Sequence, residues 1–428
     1  MRDMRQIITH FTDDDLYKYT MCCAVIENFP RTQVKYTFFD RNNTLYPKGF
    51  AEELMAQIEM LEGLRITKEE IEFMHNRCKY LPVWFLNYLR GFRYDHHWVK
   101  VRQDRAGRLG IEFEGPWSST ILLEVKVLAI ISELYYMMTG QDAKLDYEAF
   151  YERTAEKASR LIEGGCTFSE IGTRRRATFE AQDTAVRALK DSFDINAPVC
   201  FIGSDEMEGF GRFVGTSNVY LAMKYDLTPI GTMAHELICA IAGMYGPQMA
   251  NHLAMRAWSN TYRGSLGTYL YDTYGWQIFS LNFSEDFANM FKGLRVDSGD
   301  NKEQLDLIVD KYRSLGIDPS TKQVIFSNAL SVDKAIDLQK YAYGKCQPGF
   351  AIGTHFTNDF QEVDPLNIVI KLTSVKITET WPFWCPTCKL SADPEKNSGS
   401  PAIVAIFKKL LHISTAASAE KPTEEQTA

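Results

Sequence analysis

Short apolar stretches in the middle of the chain run out, one after another, into residues that can do chemistry. The ends are Glu170-Ile171-Gly172-Thr173-Arg174, Gly215-Thr216-Ser217, Gly231-Thr232, Asp272-Thr273, Asp297-Ser298-Gly299-Asp300, Ser327-Asn328 and Gly353-Thr354. Just after Gly231-Thr232, His235 stands in the first turn of a helical stretch with Glu236 beside it. An imidazole with a reference pKa of about 6.5 is a competent nucleophile near neutral pH once its second nitrogen is oriented. Glu236 or a strand-end aspartate would serve as that orienter. Asp272, Asp297 and Asp300 are hard oxygen donors suited to Mg²⁺ or to sugar hydroxyls. Ser327, Gly353 and Thr354 offer N–H and OH donors for a phosphate. Arg174, Arg175, Arg176 and Arg295 can neutralise anions, and a guanidinium fork matches a carboxylate or phosphate with two bonds. Together these residues imply a small, anionic, phosphorylated substrate with a metal bound.

The elements that must position these residues follow from the hydrophobic pattern. Between about 141 and 365, helical stretches alternate with short apolar strands, which argues for a parallel sheet, and the number of strands favours a barrel. Residues 1–140 read as α+β. Asp13-Asp14-Asp15 precede an amphipathic run from Tyr17 and predict a helix start, Val34, Tyr36 and Phe38 alternate as in a strand, and Thr67 with Glu70 forms a capping box. Two strand-like runs flank Arg105-Ala106-Gly107-Arg108 and predict a hairpin. The apolar run over 120–139 contains Glu124, Lys126 and Glu133 and stops at Gly140, so it predicts a buried helix and not a membrane span. The α+β pattern returns over 366–412, and residues 413–428 read as a disordered tail. Neither a dinucleotide-binding fingerprint nor a Walker A sequence is present.

With 428 residues and a net charge of −8, the chain is long enough for two domains, and no basic surface for nucleic acid is implied. Nine cysteines without an export signal predict reduced thiols in a cytoplasm. Cys385-Pro386-Thr387-Cys388 reads as two thiols in a hairpin insert. The zinc alternative would need two more ligands, for which Cys346 and His355 are the candidates.

These motifs, in this order, resemble nicotinate phosphoribosyltransferase, a type II phosphoribosyltransferase family. The resemblance extends from Asp15-Leu16-Tyr17-Lys18-Tyr19-Thr20-Met21 through Gly353-Thr354-His355-Phe356-Thr357-Asn358-Asp359 to Asn367-Ile368-Val369-Ile370-Lys371-Leu372. It implies an α/β fold, an irregular α/β barrel with a second, sandwich-like α+β domain formed from both chain ends. The implied reaction joins nicotinate to phosphoribosyl pyrophosphate (PRPP), giving nicotinate mononucleotide and pyrophosphate in NAD salvage. It uses ATP as co-substrate, Mg²⁺, and His235 as a phosphohistidine. Asp272, Asp297 and Glu236 would act with that histidine and the sugar, and Asp297 and Asp300 would hold the metal directly or through water. The base would meet Tyr17, Arg174, Ser217, Thr232 and Arg295, while Asp300, Ser327, Asn328, Gly353 and Thr354 would hold PRPP. Ser217 stands where nicotinamide-using relatives carry an aspartate, which would repel a carboxylate. The resemblance also implies a homodimer in which Tyr17 reaches into the partner's barrel. Ile171, Asn328 and Trp276 depart from the family pattern, with Trp276 expected to narrow the pocket. A nicotinamide-using relative and a non-catalytic regulatory paralogue are the alternative readings.

Overall fold

The computed structural model describes residues 5–196 and 210–413; the predicted tail beyond residue 413 lies outside these. Alternation at Val34, Tyr36 and Phe38 becomes β1 (Gln33–Asp40), which buries all three side chains. The predicted hairpin is β2 (Val99–Gln103) with β3 (Leu109–Pro116), paired antiparallel. Near the other end of the chain lie β10 (Ile368–Lys376) and β11 (Cys385–Pro386). The five form one antiparallel sheet in the order β11-β10-β1-β3-β2. Residues from both chain ends therefore share a sheet, with Phe38 opposite Ile370.

The middle of the chain supplies a parallel sheet of six strands: β4 (Thr167–Glu170), β5 (Arg212–Thr216), β6 (Thr268–Leu270), β7 (Gly293–Val296), β8 (Gln323–Phe326) and β9 (Gln347–Ile352). Their order is β5-β4-β9-β8-β7-β6. Ahead of His235 the expected seventh strand is a single parallel bridge from Pro229 to Thr216. Among the described residues no pairing joins that side to β6, so the barrel is irregular. The helix Glu124–Thr139 is buried along most of its length and ends at Gly140 in the left-handed conformation, as predicted. No helix among the described residues is long and apolar enough to cross a membrane.

The aspartate run does not cap a helix. Asp15 occupies the position before the helix Leu16–Asn28 but makes no capping bond. All three acids are buried and point to other elements. Asp13 takes two bonds from the Arg176 guanidinium, at 2.6 and 2.7 Å. Asp14 accepts from the Lys126 ammonium at 3.0 Å, and Asp15 accepts from the Ser217 hydroxyl at 2.6 Å. The physical reason is burial, because a carboxylate removed from water needs a fixed charged or hydrogen-bonding partner. Arg176 is itself fully buried, which removes it from the anion-binding set expected of the three arginines.

Removing one member of such a pair leaves the other charged and unsolvated. Asp13→Ala is expected to cost about 3–5 kcal/mol of unfolding free energy in urea titration. A loss below about 1 kcal/mol would contradict the clamp.

Candidate active site

The carboxyl ends of the parallel strands face the antiparallel sheet across a cavity of about 690 Å³. His235 opens the helix His235–Tyr245 and projects into this space. Its Nδ1 lies 3.0 Å from Thr273 Oγ1, and its Nε2 lies 3.1 Å from Asp297 Oδ2 and 2.8 Å from Lys389 Nζ. Asp272 Oδ1 stands 3.9 Å from the same Nε2. Burial, followed by the Lys389 charge, lowers the basicity of His235 and favours a neutral ring. Burial works to raise Asp297, but the bond to His235 and the Lys389 charge hold it well below the usual carboxylate range.

Glu236 is not the orienter. Its Oε1 accepts from Tyr36 OH at 2.5 Å and Trp117 Nε1 at 2.8 Å, and its Oε2 accepts from Lys18 Nζ at 2.7 Å. Consecutive residues at a helix start point in different directions, so His235 faces the strand ends while Glu236 faces the antiparallel sheet. Lys18 also pairs with Glu124, and both glutamates reach the cavity wall from this cluster.

Tyr17, Arg174, Asp297, Ser327, Asn328, Gly353 and Thr354 join His235 in the cavity wall, as does Ile171. Tyr17 lines the cavity of its own chain. Ser217, Thr232, Asp272, Arg295 and Asp300 stand outside the wall. Ser217 is buried against Asp15, and Arg295 donates to Met233 O at 3.1 Å. The Thr232 carbonyl accepts from Thr20 Oγ1 at 2.6 Å. Asp300 caps the helix Asn301–Ser314 by accepting from the N–H groups of Lys302 and Glu303. Gly231 has φ 149°, and a Cβ there would meet Tyr17 N at 3.1 Å. Its freedom thus serves the approach of the helix that carries Tyr17. Trp276 packs edge-on against Tyr271 and is not in the wall, so it does not narrow the cavity. Cys385 and Cys388 sit in the hairpin after β10, the bland reading of that pair, and no metal-ligating group forms around them among the described residues.

Several wall residues had no signal in the sequence. Lys371, Lys389, Lys396 and Arg41 make one side of the cavity strongly basic. Burial, then Arg41 and Lys389, push Lys371 down to about 8, and burial, then Arg174 and Arg41, push Arg175 down to about 9. Thr273 was visible only as part of a motif. These positions are joined by long-range packing, which local spacing does not encode.

The residues present fit a magnesium ion in part. Mg²⁺ typically takes one or two carboxylates with substrate phosphates and waters. Asp297 lines the cavity, and the buried Asp272 Oδ1 has no hydrogen-bond partner, so these two suit the ion better than Asp300. The four-residue group with metal-like spacing, Glu62, Asp95, His96 and His97, lies outside the cavity wall.

A barrel that sets an oriented imidazole and a carboxylate pair against a basic wall is the layout of an enzyme for phosphorylated small molecules. Comparison with known proteins gives the family. Residues 166–414 match the model of the nicotinate phosphoribosyltransferase (NAPRTase) family, and residues 12–132 match its N-terminal domain. The nicotinate phosphoribosyltransferase of Chromohalobacter salexigens is 38% identical over 403 residues, covering 94% of this chain and 98% of the relative. That of Methanosarcina mazei is 37% identical over 412 residues, covering 92% and 95%. The crystal structure of nicotinate phosphoribosyltransferase from Porphyromonas gingivalis superposes with a TM-score of 0.88 at 38% identity, covering 95% of this chain and 100% of that one. The chain belongs to the nicotinate phosphoribosyltransferase family.

The depressed Lys371 gives a measurable consequence. At pH 8 it is partly neutral in the free chain, and an anion beside it raises its pKa, so binding draws in a proton. Calorimetry with inorganic pyrophosphate at pH 8, in two buffers of unequal ionisation enthalpy, should show proton uptake that Lys371→Met diminishes. Equal uptake by the variant would remove Lys371 from the anion site.

Proposed function

We propose that the chain transfers phosphoribose from PRPP to nicotinate, releasing nicotinate mononucleotide and pyrophosphate, as a step of NAD salvage coupled to ATP hydrolysis. The observation that carries this reading is His235 held between Thr273 and Asp297 on a basic cavity, in a chain of this family. The nicotinate ring nitrogen attacks C1 of the ribose as the bond from C1 to pyrophosphate breaks. Carboxylates fixed at the strand ends stabilise the positive charge that develops on the sugar. Asp297, with Asp272 behind it, would hold Mg²⁺, which supplies charge neutralisation for the leaving pyrophosphate. Ser327, Asn328, Gly353 and Thr354 receive the phosphoribosyl group, and Arg175, Lys371 and Lys396 offset its charge.

Tyr17 and Ile171 flank the base, and the Arg174 guanidinium takes its carboxylate. That cation favours nicotinate over nicotinamide. Ser217 acts at one remove through Asp15, since an aspartate at 217 would set two buried carboxylates side by side. Thr232 and Arg295 fix the loop before His235 through backbone carbonyls, and Asp300 fixes the helix after β7. Glu236 ties that loop's helix to Lys18, next to Tyr17.

We assign 1–140 with 366–412 to one domain and 141–365 to the barrel, supported by the pairing of β1 with β10. We place the reaction in the cytoplasm, on the support of eight described cysteines that are all free thiols. A homodimer is compatible with this site, although Tyr17 does not require one.

Incubation with γ-labelled ATP should put an acid-labile, base-stable phosphate on the wild type and none on His235→Ala. Equal labelling of the two would refute the role of His235. Pyrophosphate release should be much faster with nicotinate than with nicotinamide, and Arg174→Met should narrow that difference.

Because each chain's cavity contains both Tyr17 and His235, mixing inactive Tyr17→Ala with inactive His235→Ala protein should restore no activity. Recovery after subunit exchange would show a site shared between chains.

A further inference from the structure

Residues 389–398 form a strap across the ends of β7 and β8. The backbones of Lys389 and Ser398 bond each other at 3.4 and 3.2 Å, and Leu390 N donates to Thr273 O at 3.0 Å. Gly299 N donates to Asp393 Oδ1 at 3.0 Å. Lys396 Nζ donates to Asp297 O and to Asn328 Oδ1, both at 2.6 Å. The strap is therefore anchored on the same Thr273 and Asp297 that orient His235.

This anchoring fixes the Lys389 ammonium 2.8 Å from His235 Nε2, in a residue only 7% exposed. Other well-buried lysines have acids. Lys18 pairs with Glu124 and Glu236, Lys126 with Asp14, and the partly buried Lys396 with Asp393. Among the described residues, no carboxylate lies within ion-pair distance of Lys389, and its hydrogen-bond partner is a ring nitrogen. The nearest carboxylate, Asp297, feels this charge but is already engaged with His235, so the buried ammonium has no acid of its own until an anion completes it. Lys389 lines the cavity, so that anion can arrive from the substrate side.

We infer that Lys389 is a catalytic residue of phosphoryl exchange at His235, its ammonium serving as counter-ion to the phosphoryl group as it moves between ATP and the ring. The inference rests on the reading of His235 as the phosphorylated residue. In the step it serves the ring is neutral with its proton on Nδ1, toward Thr273 Oγ1, so the Nε2 lone pair faces Lys389 and forms the N–P bond while the bond from the γ-phosphorus to the β–γ bridging oxygen breaks. The electron pair of that bond leaves with ADP, and the ring keeps its proton on the other nitrogen. Lys389 loses its hydrogen bond to the ring and gains one to a phosphoryl oxygen, where its charge counts for more than in water.

The test is the initial rate of acid-labile, base-stable labelling from γ-labelled ATP in full-length protein, with thermal unfolding recorded for each variant. Lys389→Met and Lys389→Gln should each label roughly 10²-fold more slowly than wild type, the size of effect seen when one preorganised electrostatic partner is removed. Glutamine retains a hydrogen-bond donor without the charge, so it also serves if the methionine variant does not fold. Lys389→Arg, which keeps the charge, should label faster than either. Wild-type rates in Lys389→Gln, or an arginine variant no faster than glutamine, would overturn the inference while leaving the His235 reading intact. Absence of label on the wild type would overturn that reading, and this inference with it.

Discussion

Burying three consecutive carboxylates is costly unless each finds a partner in a fixed place, and the chain meets that condition only in its complete fold. Asp13 requires Arg176 from beyond β4, Asp14 requires Lys126 from the buried helix, and Asp15 requires Ser217 from the end of β5. The helix carrying Tyr17 begins immediately afterwards, and Leu16 N is bonded to Ser217 O at 2.8 Å. Tyr17 is therefore placed in the cavity wall by charges that lie outside it. A mispaired start would leave several buried ions unsatisfied at once, a large local bias toward one arrangement.

A second cluster of charges sits at the cavity wall itself. Glu236 receives Lys18, Tyr36 and Trp117, joining the helix of His235 to the first helix and to the antiparallel sheet. His235 and Tyr17 are thus referred to one cluster, held by hydrogen bonds from three elements, the kind of support a preorganised site needs.

The period-two pattern of β1, the capping box at Thr67 and the stop at Gly140 were legible because each depends on near neighbours. The strand ends were legible because small and polar residues after an apolar run have one common meaning in a parallel sheet. The three aspartates marked a helix start that does fall at Leu16, but their role as a buried clamp was not legible, since a cap and a clamp look alike until Arg176 and Lys126 are brought 163 and 112 residues along the chain to meet them. Glu236 and a strand-end aspartate stood as alternative orienters of His235, and adjacency in sequence could not decide between them because it does not say which way a side chain points. Asp300 was grouped with Asp272 and Asp297 by type alone, and its helix cap could not be told from a ligand role. Lys389 and Lys396 carried no local pattern, because their meaning comes from the strap that returns over β7.

That strap sets an order in time as well as in space. A chain emerging from the ribosome exposes every strand end of the barrel by the time β9 is made. It still lacks the β10 edge that pairs with β1 and the lysines that cover His235 and Asp297. Pairings of such long sequence separation form slowly. The last-synthesised part of the described chain therefore adds Lys389 and Lys396 over His235 and Asp297, so a nascent or C-terminally clipped protein would have the barrel motifs without these two lysines.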